Sequence, residues 1–165
     1  TTQHDIALKT NDTTRVQVAH GGQVTMPSQP AFLAQPASAQ ENFAEGSDVT
    51  VVFGTERFDI GGNFASNTFT APVTGKYQLN ALIRIEEVDT APAYYQIKII
   101  TSNLTYAGTY APKFASDPAY FTFPHSALAD MDAGDTAYIA IHQHSAGTAQ
   151  SDVNTESYFS GYLAC

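Results

Sequence analysis

The stretch FGTERFDIGGNFASNTFTAPVTGKY, residues 53–77, places aromatic residues between short polar or glycine-containing gaps. The aromatic positions are too irregular for one face of a helix. They are Phe53, Phe58, Phe64, Phe69 and Tyr77. They fit several short strands that each place one large ring in a shared core. We expect the glycines at 61, 62 and 75 to form tight turns between these strands.

The composition of the whole chain favours the same class of structure. Its 165 residues, which include nine Tyr and ten Phe, amount to one ordinary domain without a persistent apolar stripe at helical spacing. The formal net charge is −9, whereas binding to nucleic acid or to anionic membranes needs clustered Lys or Arg. No apolar run approaches the roughly 20 residues of a membrane span. The sequence therefore predicts an all-β protein that binds no nucleic acid and does not insert into a membrane.

Residues 1–27 differ from the rest of the chain. Apolar and polar residues alternate on both sides of Gly21-Gly22, and such a pair is typical of a hairpin turn. Two strands of this length are marginal alone in water, so they need either the main domain or neighbouring copies of themselves. Pro27 begins a stiff, proline-containing joint. We place a boundary here, with a hairpin segment over residues 1–27 and a main domain over residues 28–165.

Runs with strand-like alternation follow one another at short intervals after residue 31. The clearest runs lie at residues 48–53, 77–83, 95–99, 121–131, 137–144 and 157–163. Residues 101–118 are predicted as loops with at most one short strand around 106–110. Eight to ten short strands separated by turns are typical of a β-sandwich or jelly roll.

The aromatic stretch resembles the signature of the complement C1q globular-head family, within the tumour-necrosis-factor-like superfamily. The matching residues are Phe53, Asp59, Phe64, Phe69, Gly75 and Tyr77. The gap between Phe64 and Phe69 is about two residues shorter than usual, which predicts a tightened loop. Three further pieces agree in order, at residues 30–34, 133–135 and 158–163. The resemblance covers about residues 30–164.

The resemblance implies a two-sheet jelly roll of about ten short antiparallel strands that assembles as a tight homotrimer. In the last strand, alternate side chains from Phe159 onward face the core, which leaves Tyr158, Ser160 and Tyr162 on the other face. Tyrosine is favourable in interfaces because it is apolar with one hydrogen-bonding tip. We therefore expect these three residues at the trimer interface. A threefold axis would also bring copies of Cys165 into the same region.

The hairpin segment is similar to the short β-shaft repeats that precede C-terminal domains in bacteriophage tail fibres. Together the two resemblances imply a non-enzymatic structural and binding module on the outside of a virion. The main hypothesis is the distal domain of a tail fibre, which contacts a glycan or protein receptor on the bacterial surface. Its N-terminal segment would join other virion proteins. The alternatives are a capsid decoration or head-fibre protein with the same fold, and a fibre domain that cleaves polysaccharide.

Candidate receptor contacts lie between residues 91 and 120, where aromatic side chains are mixed with Ser, Thr, Asn, Gly and Pro. The candidates are Tyr94, Tyr106, Tyr110, Phe114 and Tyr120. Rigid aromatic side chains among small polar residues are typical of binding loops. Core packing is the alternative interpretation for several of them.

Two weak candidates for metal binding appear. His142 and His144 lie two apart on a predicted strand, so both rings face the same side, and imidazole suits Zn, Ni or Cu. Asp130 and Asp132 lie in an acidic turn of the kind that calcium uses, although the spacing is not that of an EF-hand. Surface histidines and an ordinary turn are the plainer interpretations, and no cofactor is firmly predicted.

No catalytic constellation is present in the sequence. It lacks a Gly-x-Ser-x-Gly elbow, and its one cysteine is terminal. Glu86 and Glu87 are adjacent, so on a strand they would point to opposite faces and cannot act as a carboxylate pair. The sequence therefore nominates no catalytic residue.

Overall fold

The computed structural model describes residues 5–147 and 150–165. Within these ranges the chain forms antiparallel strands and no helix, so the all-β prediction is confirmed. No helix in the described part is long and apolar enough to cross a membrane. The strands are β1 (Ile6–Thr10), β2 (Thr13–Val18), β3 (Val24–Thr25), β4 (Ala31–Gln35), β5 (Asp48–Thr50), β6 (Thr55–Ile60), β7 (Phe64–Ala65), β8 (Thr68–Thr70), β9 (Gly75–Glu86), β10 (Tyr94–Thr101), β11 (Thr105–Tyr110), β12 (Tyr120–Met131), β13 (Thr136–His144), β14 (Asp152–Val153) and β15 (Tyr158–Leu163).

Strands β1, β2 and β3 form a separate three-stranded sheet, which we call the N-terminal sheet. The predicted hairpin around Gly21-Gly22 is present and pairs Val18 with Val24. The sequence did not predict β1, which pairs with β2 through a two-residue turn at Asn11 and Asp12. Both turn residues have positive φ, 48° and 58°, and Asn and Asp tolerate this conformation best after Gly.

The other strands form two six-stranded sheets, as the two-sheet prediction requires. Sheet I has the order β11-β10-β13-β8-β7, with β5 also paired to β13. Sheet II has the order β12-β9-β15-β4-β6, with β14 also paired to β9. Strict alternation along β9 and β10 buries every second residue between the sheets.

The aromatic stretch supplies the centre of the core. Phe32 stacks on Phe64 and Phe69, with ring centroids 5.0 and 4.7 Å apart, and meets the edge of Phe159 at 4.9 Å. Tyr77 is fully buried, and its hydroxyl donates to the Val73 carbonyl at 2.8 Å. One cluster of rings therefore joins β4, β7, β8, β9 and β15.

The prediction that Phe58 lies in the core is wrong. Phe58 pairs with Leu33 on the side of sheet II that faces away from the core, and 48% of its surface is exposed. Its neighbours Arg57 and Asp59 are both charged, so the sequence around it shows no alternation that could indicate its direction. The aromatic stretch thus delivers four rings to the core and one to the outer surface.

The prediction that Gly75 forms a turn is also wrong. Gly75 begins β9, and a Cβ atom there would lie 2.6 Å from Leu163 Cδ1 and 2.7 Å from the Cys165 carbonyl oxygen. Glycine is needed at this position because the end of the chain packs directly against the backbone. Gly61 and Gly62, with φ of 99° and 66°, do form the predicted turn.

The edges of the two sheets meet at β11 and β12. The single strand predicted within residues 101–118 is β11, and its Tyr110 hydroxyl donates to the Pro124 carbonyl. One ring nitrogen of His125 lies 3.1 Å from the Tyr106 carbonyl oxygen. Because β12 is an edge strand, Pro124 can lie within it. Side chains therefore tie the two sheets together where no strand pairing does.

Candidate assembly and recognition surfaces

The outer face of sheet II carries three rows of cross-strand partners without a single charged side chain. The first row is Leu128, Gln78, Tyr162, Ala31 and Ile60. The second row is Ser126, Asn80, Ser160, Leu33 and Phe58, and the third is Pro124, Leu82 and Tyr158. The chain as a whole has a net charge of −9, so an uncharged surface of this extent differs in composition from the rest of the molecule. Such a difference is typical of protein interfaces.

Ion pairs border this face at both ends. Lys76 and Asp130 are partners in the next row beyond Leu128, and their side chains lie 2.5 Å apart. At the opposite end Arg84 pairs with Glu156, and its guanidinium lies 4.0 Å from the centroid of the Tyr120 ring. An uncharged centre within a charged rim agrees with the depletion of charged residues at the core of protein interfaces.

The three predicted interface residues each occupy one of these rows on β15. Tyr162 is 49% exposed, while Tyr158 and Ser160 are half-buried by their neighbours. Leu128, which was not among the predicted interface residues, is 57% exposed at the edge of the first row. The sequence could have indicated this position, because Leu128 lies between the core-facing Ala127 and Ala129 and its side chain must therefore point to the opposite face of the strand.

The outer face of sheet I carries a row of parallel rings. Tyr94 stacks on its cross-strand partner His144, with centroids 4.4 Å apart and planes within 15°. The His142 ring lies 5.8 Å from that of His144 and is also nearly parallel to it. Both histidines therefore lie on the same face of sheet I, as their spacing predicted, and Tyr94 lies beside them.

Asp48, which sequence analysis missed, links this row to a cation. Lys98 Nζ lies 2.6 and 2.8 Å from its carboxylate oxygens, and His142 Nδ1 lies 3.0 Å from Oδ1. Burial acts to raise the pKa of Asp48, but the hydrogen bonds and positive charge of Lys98 and His142 outweigh it, so the pKa lies below its usual range. Alternation along β5 could have indicated that Asp48 faces away from the core, whereas its pairing with His142 depends on the order of strands in the sheet.

Both acidic candidates for metal binding have ordinary partners in the fold. Within residues 5–147 and 150–165, no group of three or more His, Cys, Asp or Glu side chains is placed to hold a metal ion. Asp130 pairs with Lys76, while Asp132 Oδ1 accepts from the Thr74 hydroxyl at 3.3 Å. Asp135 accepts the backbone N–H of Asp132 at 2.8 Å, which is the ordinary turn interpretation.

The five candidate receptor contacts do not form one surface. Tyr106, Tyr110 and Phe114 are partly buried and pack against the core, with Phe114 and Phe121 ring centroids 5.1 Å apart. Tyr94 lies on the outer face of sheet I, and Tyr120 is 50% exposed at the rim of sheet II. Their predicted role in receptor binding is not tested by this placement.

Tyr94 and Tyr120 share one end of the sandwich, which we call the far end. Here β9 ends opposite Tyr120 and β13 ends opposite Tyr94. The connections over residues 87–93 and 111–119 contact each other here, because the Thr90 N–H donates to the Asp117 carboxylate at 2.9 Å. The N-terminal sheet joins at the other end, because β4 begins with Ala31 in the row nearest the Lys76–Asp130 pair.

Comparison with protein family models matches the C1q domain over residues 31–164. The chain belongs to the C1q domain family. Among solved structures, the globular domain of zebrafish complement 1qA is similar over 83% of this chain and 98% of that chain, at 18% identity and a TM-score of 0.57. Murine APRIL at pH 8.0 is similar over 82% and 98%, at 10% identity and a TM-score of 0.58. Comparison with curated proteins gives no match.

The C1q domain match confirms the predicted family and the two-sheet C1q/tumour-necrosis-factor-like jelly roll. Domains of this kind are generally binding modules and not enzymes. The matched region begins at residue 31, so it does not include the N-terminal sheet. The resemblance of that segment to tail-fibre shafts stays a prediction.

Proposed function

We propose that this C1q domain is the homotrimeric head of a bacteriophage tail fibre and that it contacts a glycan or protein receptor on the bacterial surface. The observation that carries the proposal is the uncharged outer face of sheet II, bordered by ion pairs. On this proposal the protein is a non-enzymatic part of the virion exterior. Its N-terminal segment connects it to other virion proteins.

Assembly through the outer face of sheet II follows from its chemistry. Burying Leu128, Tyr162, Phe58 and Ile60 against a second copy removes apolar surface from water. Tyrosine at the centre of an interface is among the residue types that contribute most to binding. The three rows contain no carboxylate, so acidic copies can meet there without desolvating like charges.

Receptor recognition is assigned to the far end and the adjoining outer face of sheet I. In a trimer built on sheet II these surfaces stay exposed, and they lie opposite the N-terminal segment. Tyr94 and Tyr120 are the proposed contacts among the five candidates, since both present ring surface outside the core. Tyr106, Tyr110 and Phe114 support this end of the domain through their core contacts.

Competition for host adsorption tests the proposal. Excess purified protein should reduce adsorption of the parent phage, and Tyr94→Ala should weaken this competition at least several-fold. Tyr138→Ala is the matched control, because Tyr138 is also a half-buried tyrosine on the outer face of sheet I but lies away from the far end. Undiminished adsorption in the presence of excess trimer would contradict a receptor-binding role.

The same preparation separates the alternatives. Immunogold labelling of the capsid in place of the tail would favour a decoration or head-fibre protein. Release of reducing ends from host polysaccharide would favour a cleaving fibre domain. Either result would replace the receptor-binding proposal while keeping the fold.

A further inference from the structure

The N-terminal sheet has one apolar face. Strand register places Ile6 opposite Val18, and Val18 opposite Val24. Leu8 lies opposite Val16 on the same side, and strand alternation extends the face to Met26. The other side is polar, with Gln17 between Ala7 and Thr25. The N-terminal sheet is therefore amphipathic, which is typical of a sheet that packs against another protein surface on one side only.

Most of this face has no cover within the chain. Ile6, Leu8 and Val24 are 67%, 64% and 60% exposed, and Met26 is 50% exposed. A sheet of three short strands gains independent stability only when its apolar side is packed. Scattered single apolar residues on a surface are ordinary, but a contiguous set on all three strands marks an interaction site.

The head covers only one end of the face. Val16 and Met26 line a groove of about 440 Å³, and Ile60, Val73 and Leu163 form part of its opposite wall. The Arg15 guanidinium donates to the Ser28 hydroxyl at 3.1 Å and helps to hold this junction. The remaining apolar residues of β1 and β3 extend beyond the groove.

The groove joins this face to the outer face of sheet II. Ile60 belongs to both, since it lines the groove and ends the first uncharged row of sheet II. A partner that covers sheet II would therefore reach the N-terminal sheet across this groove, where Arg15 is the charged lining residue. Arg15 is the charged residue on this side, and it lies at the groove, where it donates to Thr10 and Ser28. The apolar residues beyond the groove bring no carboxylate, so acidic copies can meet there as they can on sheet II.

We propose that the apolar face of the N-terminal sheet packs against the same sheet of a neighbouring copy, forming a second assembly interface distinct from that of the head. The proposal rests on the homotrimer proposed above. It goes further because it assigns a folded, self-associating role to residues 5–26. These residues are ordered by assembly and not by the head alone.

Hydrogen exchange on the full chain tests this interface. Ile6→Asp/Leu8→Asp places two charges on the apolar face, and Ala7→Asp/Thr25→Asp places the same number on the polar face. We expect the first variant to lose at least tenfold protection of the β1 and β2 amides while the head keeps its protection and its trimeric mass. The control should retain protection in both regions.

The outcomes separate the two proposals. A monomeric wild-type protein would overturn the trimer and this interface together. A trimeric wild type whose β1 and β2 amides are unprotected, or keep their protection in Ile6→Asp/Leu8→Asp, would overturn this interface alone. Disulfide trapping gives a second measurement in a Cys165→Ser background. Leu8→Cys should form interchain links on oxidation and Ala7→Cys should not, whereas equal linkage of both would also overturn the proposal.

Discussion

Asp59 shows how one side chain holds the aromatic stretch in shape. Its two carboxylate oxygens accept the backbone N–H groups of Asn63 and Phe64 at 3.0 and 2.9 Å. These bonds close the loop through Gly61 and Gly62 and so fix where Phe64 enters the core. Asp59 is one of the residues that carry the family resemblance, and these two hydrogen bonds give a physical reason for its place there.

Replacing Asp59 tests how far its two hydrogen bonds stabilise the loop. Asp59→Ala leaves two part-buried N–H groups without partners, and each hydrogen bond to a charged group contributes about 1.5–3 kcal/mol. We expect the denaturation midpoint to fall clearly for Asp59→Ala and about half as far for Asp59→Asn, which keeps one acceptor oxygen. Equal midpoints for Asp59→Ala and wild type at one protein concentration would show that the loop is held by other contacts.

We expect Asp48, on the outer face of sheet I, to make the stability of the folded protein depend on pH. The folded-state pKa of Asp48 lies below the unfolded value because of Lys98 and His142. The ionised carboxylate therefore stabilises the folded state above about pH 4, and this contribution is lost as the pH falls through the folded-state pKa. We expect the difference in melting temperature between wild type and Asp48→Asn to be positive at pH 7 and to shrink below pH 4.

The control for Asp48 is Asp12→Asn, an exposed turn residue of the N-terminal sheet. It makes the same change in net charge outside sheet I, so it measures the effect of that charge alone. A constant wild-type advantage over Asp48→Asn from pH 2 to pH 7 would mean that the carboxylate contributes through packing and not through its charge.

At the scale of elements, the hairpin of β7 and β8 accounts for the shortened family gap. Phe64 pairs with Phe69, and Ser66 and Asn67 form a two-residue turn with φ of 49° and 67°. This confirms the predicted tightened loop. Asn67 has a second role, because its Oδ1 accepts the Phe53 N–H at 2.8 Å and anchors the hairpin to the preceding segment.

The two turn positions should respond to glycine in opposite ways. Ser66→Gly relieves a left-handed conformation that costs a non-Gly residue about 1–2 kcal/mol, against an entropy cost of about 0.5–1 kcal/mol for the added glycine, so stability should be unchanged or slightly raised. Asn67→Gly offers the same relief but removes the acceptor of the part-buried Phe53 N–H, which costs about 1–3 kcal/mol. Thermal or chemical denaturation should therefore place Asn67→Gly below wild type and Ser66→Gly at or above it. The reverse order would show that the Asn67 side chain does not anchor the hairpin.

Strand alternation was sufficient to predict the long elements but not the direction of isolated aromatics. Along β9 and β15, apolar and polar residues alternate cleanly, so the core and the outward Tyr158 and Tyr162 could be predicted. Phe58 has no such neighbours, and Tyr106 and Tyr110 lie on an edge strand rich in Gly and Thr, where either face is compatible with the sequence. Contacts between distant strands, such as Asp48 with Lys98, depend on sheet order, which one sequence does not specify.

At the scale of the whole molecule, the surfaces divide by chemistry. The three rows on the outer face of sheet II are uncharged, and through Ile60 they adjoin the apolar face of the N-terminal sheet. Arg57, which donates to Gln35, lies at the β6 edge of these rows. The outer face of sheet I instead combines stacked rings with the Asp48 and Lys98 charges. Two surfaces suited to self-association therefore adjoin each other, and the surface suited to recognition lies on the other sheet. This arrangement favours assembly through one sheet and binding through the other.

The assembly proposal makes a direct prediction for Tyr162, which lies in the middle of the first uncharged row. Tyr162→Asp should convert the trimer to monomers at micromolar concentration, because it would bury a carboxylate without a partner in each interface. Light scattering coupled to size-exclusion chromatography measures the mass. Leu104→Asp is the matched control, since Leu104 is an apolar residue 56% exposed outside that face, between β10 and β11. We expect Leu104→Asp to keep the trimeric mass, and a trimer that tolerates Tyr162→Asp equally well would place the interface elsewhere.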